Sequence, residues 1–94
     1  MCNDRRFHNL LSGYLGSMDT YWFSVRDAIA AIDAFAKCHD WKRYDSQGDN
    51  PAYDDAEGRV TFTFTAANCD KAVYVYFAWY TMQSGRKEIT AYVS

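Results

Sequence analysis

The sequence predicts an α+β domain in which an antiparallel sheet of three to five strands packs against one long amphipathic helix, with a short helix at the N-terminus. One apolar stripe with helical spacing runs from Val25 to about Cys38. Residues 60–93 contain three segments with the two-residue alternation of half-buried strands. The 94 residues, 49% of them hydrophobic, suffice for a core of their own, so we expect residues 1–94 to form a single compact domain.

The segment before the long helix predicts two short elements. Asn3 or Asp4 is positioned to cap a helix that we expect to stop at Gly13. A strand is predicted over residues 18–23, because their aromatic cluster is typical of strands. The apolar residues of the predicted N-terminal helix are Phe7, Leu10, Leu11 and Tyr14.

The long helix has the clearest signals in the chain. Ser24 is a favourable N-cap, and Asp27 follows three residues later, close to the capping-box pattern. An apolar stripe of this width must pack on a flat apolar surface, which the sheet supplies. The stripe consists of Val25, Ala28, Ile29, Ile32, Phe35 and Ala36.

The strand register follows from the turns. A two-residue turn at Asn68-Cys69 sets Phe64 opposite Val73 and Phe62 opposite Val75. For the next hairpin, a two-residue loop at residues 84–85 would pair Tyr80 with Ile89 and mix two rows of side chains. A three-residue loop at residues 84–86 keeps the rows apart, and we therefore expect Trp79 opposite Ala91 and Phe77 opposite Val93.

This register separates an apolar face from a tyrosine face. The apolar face packs on the long helix and holds Val73, Val75, Phe77, Trp79, Ile89, Ala91 and Val93. The other face holds Thr61, Thr63 and Thr90 together with four tyrosines that we predict to bind a partner: Tyr74, Tyr76, Tyr80 and Tyr92. Two alternatives stay open, since this face is either covered by the N-terminal helix and the loop of residues 40–58, or used for homodimerisation.

Between the long helix and the first long strand lies an acidic segment, residues 40–58, which we expect to be an irregular loop. Residues 41–44 at its start suit a short strand, and Gly48, Pro51 and Gly58 break regular structure in the rest. The segment contains half of the 12 acidic residues of the chain. We predict four of them to bind a partner: Asp49, Asp54, Asp55 and Glu57.

Composition restricts the function. The formal charge of −2 gives no long-range positive field, so we expect no direct binding of nucleic acid. The chain contains no apolar run of 18 residues, which favours a cytoplasmic protein without membrane contact. Cys2, Cys38 and Cys69 are odd in number and widely spaced, which predicts reduced thiols, with Cys38 and Cys69 as small packing residues.

We expect no catalytic residue, no metal site and no cofactor. Cys38, His39 and Asp40 are consecutive, so their side chains point in different directions and do not form a nucleophile, base and orienting acid. The cysteines and histidines lack paired zinc-ligand spacing. The acidic loop lacks the spacing of a calcium-binding loop.

These features predict a small acidic, non-enzymatic interaction module, an inhibitor or adaptor that binds another protein. In size, charge and aromatic content the chain resembles the small acidic proteins that phages make against bacterial defence complexes, anti-CRISPR proteins among them. That resemblance implies a nucleic-acid-binding complex as partner, with the acidic loop blocking a basic groove. The alternative is a small-ligand-binding domain or minor enzyme with a pocket between sheet and helix.

Overall fold

A computed structural model of the chain describes residues 3–44 and 53–94. Over these residues the chain forms two α-helices and one antiparallel sheet of five strands. The α+β class and the antiparallel sheet are therefore confirmed. The elements in chain order are α1 (Asp4–Ser17), β1 (Tyr21–Trp22), α2 (Val25–Cys38), β2 (Lys42–Tyr44), β3 (Glu57–Thr65), β4 (Val73–Thr81) and β5 (Lys87–Val93).

The strands lie in the order β1-β5-β4-β3-β2, with both short strands at the edges. Buried side chains of α1 and α2 share one hydrophobic core with one face of the sheet, so the described residues form two layers. The expected contrast between a long and a short helix is not found, because α1 and α2 have 14 residues each.

Helix α1 is longer than predicted. It starts at the Asn3 cap, whose side chain accepts a hydrogen bond from the Arg6 backbone N–H at 3.3 Å. It continues through Gly13, so the predicted stop is wrong. A glycine inside a helix costs only about 1 kcal/mol, and the added turn buries Leu15. The buried face of α1 consists of Phe7, Leu11 and Leu15, while Leu10 of the predicted stripe is 38% exposed.

Helix α2 has the predicted bounds. The Ser24 side chain caps it by accepting from the Arg26 backbone N–H at 3.1 Å. At its other end, the backbone N–H of Asp40 donates to the Lys37 carbonyl and that of Trp41 donates to the Ala36 carbonyl. This pair of bonds is a Schellman motif, in which Asp40 adopts the left-handed φ of 62°. The segment 38–40 thus ends α2 and turns the chain towards β2.

Strand β2 connects the helix layer to the sheet edge. Its central residue, Arg43, points to the helix side, where its Nε lies 2.9 Å from Oδ1 of Asp33 on α2. The preceding Trp41 is buried and stacks on Phe7 of α1 with a ring separation of 4.5 Å. The predicted loop range therefore contains β2 near its start and the first residues of β3 at its end.

The register between β3 and β4 is confirmed, with Phe64 opposite Val73 and Phe62 opposite Val75. Between β4 and β5 the predicted partners are wrong, because Trp79 pairs with Ile89 and Phe77 pairs with Ala91. The loop does have three residues, but they are 83–85. Gly85 at the third position has a φ of 89°, and Met82 N–H donates to the Arg86 carbonyl.

The shift in register changes the partners without moving any side chain to the other face. Both loops have an odd number of residues, and side chains alternate with a period of two. All four core residues of β4, namely Val73, Val75, Phe77 and Trp79, are buried as predicted.

The cysteines differ from the prediction. Cys69 is disulfide-bonded, so the expectation of reduced thiols is wrong at this position. Sequence spacing detects only local cysteine patterns, and residues far apart in the chain can meet through the fold. Cys38 is a free thiol, but it is exposed and does not fill the core. Cys2 lies outside the described residues.

Candidate functional site

One face of the sheet is turned away from both helices. We call it the open face. Its side chains are assigned by the alternation along each strand and by the cross-strand pairs, since directly opposed residues point to the same side. Six of the eight tyrosines of the chain lie on it. The open face consists of Tyr21, Lys42, Tyr44, Glu57, Arg59, Thr61, Thr63, Thr65, Tyr74, Tyr76, Ala78, Tyr80, Glu88, Thr90 and Tyr92.

The tyrosines of the open face are largely accessible. Tyr21, Tyr44, Tyr74, Tyr80 and Tyr92 expose between 48% and 59% of their surface. The N-terminal helix packs on the opposite side of the sheet, so it does not cover them. An accessible row of large side chains of this kind is typical of surfaces that bind other molecules.

Cross-strand pairing arranges the open face in rows. The central row is Thr61, Tyr76 and Tyr92. Within it, the rings of Tyr76 and Tyr92 stack with centroids 5.0 Å apart and an interplanar angle of 28°. This contact fixes both rings, so a partner would lose little side-chain freedom on binding them.

The other rows differ in character on the two sides of the centre. Tyr44, Thr63 and Tyr74 form the row on one side, with Lys42 and Thr65 beyond it. Arg59, Ala78 and Thr90 form the row on the other side. Beyond that row lie Glu57, Tyr80, Glu88 and Tyr21.

The four charged residues of the open face are available to a partner. Glu57 and Glu88 flank Tyr80 at one end, and Lys42 lies at the other end. None of these three, nor Arg59, takes part in any ion pair among the described residues. The face is therefore neutral overall but acidic at one end.

The predicted acidic residues do not form one surface. Glu57 is the first residue of β3 and belongs to the open face. Asp54 lies on the helix side, where its Oδ2 is 3.6 Å from the Arg26 guanidinium of α2. The Asp55 carbonyl accepts a hydrogen bond from Trp79 Nε1 at 3.1 Å, while the residue itself is exposed. Asp49 lies outside the described residues.

Tyr21 and Tyr44 are members of the open face that the sequence prediction did not assign to it. Each lies in a segment that was predicted as a short strand. The missing information was the pairing partner of each edge strand, which here is β5 for Tyr21 and β3 for Tyr44. Alternation along the chain fixes a face only within one strand, and the link between strands is tertiary.

Other kinds of site receive no support from the described residues. The Cys38, His39 and Asp40 segment serves as the helix end, and the His39 ring packs against Phe35 at 4.7 Å. In the described ranges, no three His, Cys, Asp or Glu side chains are close enough to share a metal ion. No described helix is long and apolar enough to cross a bilayer.

The space between sheet and helices is filled by apolar side chains. Among the described residues, no polar or charged side chain is buried in that layer. A groove of about 520 Å³ lies on the outside, between the start of α1 and the β3–β4 connection, and it is lined by Asp4, Arg5, His8, Asn9, Lys71, Ala72 and Val73. The described core thus contains no polar group that would orient a small ligand.

No family model, no curated protein and no solved structure matches this chain.

Proposed function

We propose that the protein is a non-enzymatic interaction module and that the open face is its protein-binding surface. The observation that carries this proposal is the concentration of six of the eight tyrosines on the helix-free side of the sheet. Tyrosine supplies a large, rigid contact area that combines an apolar ring with a hydrogen-bonding hydroxyl. Among the described residues, the hydrophobic core is built on the other face, so burial in the core does not account for these tyrosines.

The open face is large enough for a small protein interface. The five strands have 2, 3, 9, 9 and 7 residues, and at about 3.3 Å per residue and about 4.8 Å between strands they cover roughly 480 Å². A standard protein interface buries about 800 Å² on each partner, so this face corresponds to the small end of the range. A single-stranded nucleic acid would also stack on tyrosines, but Lys42 and Arg59 are the only cations on the described open face, which is too few to follow a phosphate backbone.

Inhibition of a nucleic-acid-binding complex through an acidic loop has weaker support. Such a plug needs its carboxylates on one surface, whereas Asp54 and Glu57 lie on opposite sides of the sheet. The open face, and not the acidic segment, is therefore the surface on which the proposal rests.

The proposal is tested by comparing what three forms of the protein capture from a lysate. The wild type is compared with a Tyr74→Ser/Tyr80→Ser variant and with a Leu10→Ser control, which removes an exposed apolar residue from α1 instead. We expect a protein that binds the wild type and the control but not the tyrosine variant. Equal capture by all three folded proteins, together with unchanged self-association of the tyrosine variant, would show that the open face is not the binding surface.

A further inference from the structure

We infer that the open face fits a second copy of this chain, forming a two-fold symmetric dimer with the row Thr61, Tyr76 and Tyr92 at its axis. This inference rests on the proposed function, since it names the partner of the same surface. It is carried by the charge pattern of the face and by the position of one small residue.

Two identical faces that pack on each other are related by a two-fold axis in the plane between them. If the axis runs along β4, β3 of one copy lies over β5 of the other. Glu57 then lies over the second copy's Glu88, and the reverse contact repeats the same repulsion. Directly opposed like charges cost free energy on association, so this arrangement is the less favourable one.

If the axis runs across the strands, along the central row, the two ends of the face are exchanged. The end that carries Lys42 and Thr65 then lies over the end that carries the second copy's Glu57. Lys42 is on the strand next to β3, within reach of that carboxylate. The symmetry produces this ion pair twice, and both partners are free of other ion pairs among the described residues.

The same axis gives steric complementarity. Along β4 the open face presents Tyr74, Tyr76, Ala78 and Tyr80, so Ala78 is a gap in a row of tyrosines. The two-fold rotation about the central row places Tyr74 over the second copy's Ala78. A large side chain therefore meets a small one at this position in both halves of the interface, whereas at the axis Tyr76 and Tyr92 each lie over their own copies.

The remaining cation of the face also gains a partner. Arg59 lies one row from the central row. The two-fold rotation brings it over the second copy's Thr63, beside the ring of the second copy's Tyr44. An arginine over an exposed tyrosine ring is a favourable cation–π pair. Two sheets that pack face to face keep their strand directions within about 30° of each other, so these rows remain neighbours after twisting.

Asp54 provides the control, because it is an exposed carboxylate beside Arg26 on the helix side of the sheet, outside the proposed interface. Glu57→Lys should therefore weaken the dimer, whereas Asp54→Lys should leave it unchanged.

The test is sedimentation equilibrium of the full chain, with circular dichroism to show that each variant is folded. We expect the wild type to reach twice the chain mass of 10.9 kDa. Glu57→Lys and Lys42→Glu should each raise the dissociation constant roughly 10-fold, since symmetry applies each change twice. The double variant should return close to the wild-type value. Ala78→Arg should abolish the dimer by blocking the site of Tyr74.

Four outcomes would overturn the dimer: a wild type that stays monomeric up to about 1 mM, a double variant no better than either single one, a dimer that tolerates Ala78→Arg, or a dimer that Asp54→Lys changes as much as Glu57→Lys does. The proposed function fails separately. If the chain is monomeric but Tyr74→Ser/Tyr80→Ser abolishes capture of another protein, only the dimer is wrong.

Discussion

At the scale of single residues, Gly58 is needed because of the residue opposite it. Its cross-strand partner is Trp79, and a Cβ at position 58 would meet three atoms of the indole ring within 2.8 Å. The ring cannot move aside easily, since it is buried and its Nε1 donates to the Asp55 carbonyl. Gly58 thus allows the large ring to lie flat on the strand beside it.

We expect Gly58→Ala to lower the free energy of unfolding by about 1–3 kcal/mol, the usual cost of overpacking a core. Gly13→Ala is the matched control, because an added methyl group there contacts nothing within 4 Å. In the middle of α1 the same substitution should stabilise the fold by about 0.5–1 kcal/mol. Urea unfolding measures both changes, and the same sign for the two variants would contradict this account of Gly58.

Asp40 is strained for a different reason, since it holds the left-handed conformation at the end of α2 with a φ of 62°. Glycine adopts this conformation without steric cost, although it loses more freedom on folding. Asp40→Gly should therefore stabilise the protein by about 0.5–1 kcal/mol, or a few degrees of melting temperature. Asp40→Ala keeps the Cβ and should give no gain. A lower melting temperature for Asp40→Gly would mean that the carboxylate has a role of its own.

At the scale of elements, β4 combines core and surface in alternate positions. Phe77 is fully buried between neighbours such as Phe62 and Trp79, whereas Tyr80 exposes 56% of its surface on the open face. Phe77→Ala should lower the free energy of unfolding by about 3–5 kcal/mol, a large share of the 5–15 kcal/mol typical of small domains. Tyr80→Ser should lower it by about 1 kcal/mol or less, mainly through strand propensity.

Thermal unfolding followed by circular dichroism distinguishes the two substitutions. The melting temperature of the Tyr76→Ser variant should lie between those of Phe77→Ala and Tyr80→Ser, because Tyr76 is half-buried and stacks on Tyr92. A Tyr80→Ser variant as unstable as Phe77→Ala would mean that the open face is covered in solution.

The elements also show what the sequence can predict and where it stops. Alternation predicts the two faces of β4 correctly, because the period of two is a property of the extended backbone itself. The partners of β5 depend on the loop, and Gly85 sits at its third position with a positive φ, which shifts the loop one residue earlier than predicted. For α1, a local signal at Gly13 was outweighed by burial of Leu15, a tertiary contact.

At the scale of the whole molecule, the candidate surface was predictable in part. Tyr74, Tyr76, Tyr80 and Tyr92 follow from one hairpin, so local pattern suffices to place them on a common face. Whether that face is covered depends on the side chosen by α1, which joins α2 on the opposite side and leaves the sheet in two layers. The acidic segment has no alternating pattern that assigns its side chains to a face. The prediction that its carboxylates form one surface rested on composition alone.

The position of the acidic residues leads to a last prediction, which separates the two surfaces of the molecule. Asp54 lies beside Arg26 on the helix side, whereas Glu57 lies beside Tyr80 on the open face. Charges farther apart than about 8–10 Å are screened at physiological salt, so each acts mainly on what docks beside it.

If the partner binds the open face, Glu57→Gln should weaken binding and reduce its dependence on salt, whereas Asp54→Asn/Asp55→Asn should leave both unchanged. Both variants should keep the wild-type melting temperature within a few degrees, because all three carboxylates are exposed. Binding is measured between about 0.05 and 0.5 M salt, where the screening length shortens severalfold. If instead the double aspartate variant loses binding and Glu57→Gln does not, the partner docks on the acidic segment, and blocking of a basic groove becomes the better account of the protein.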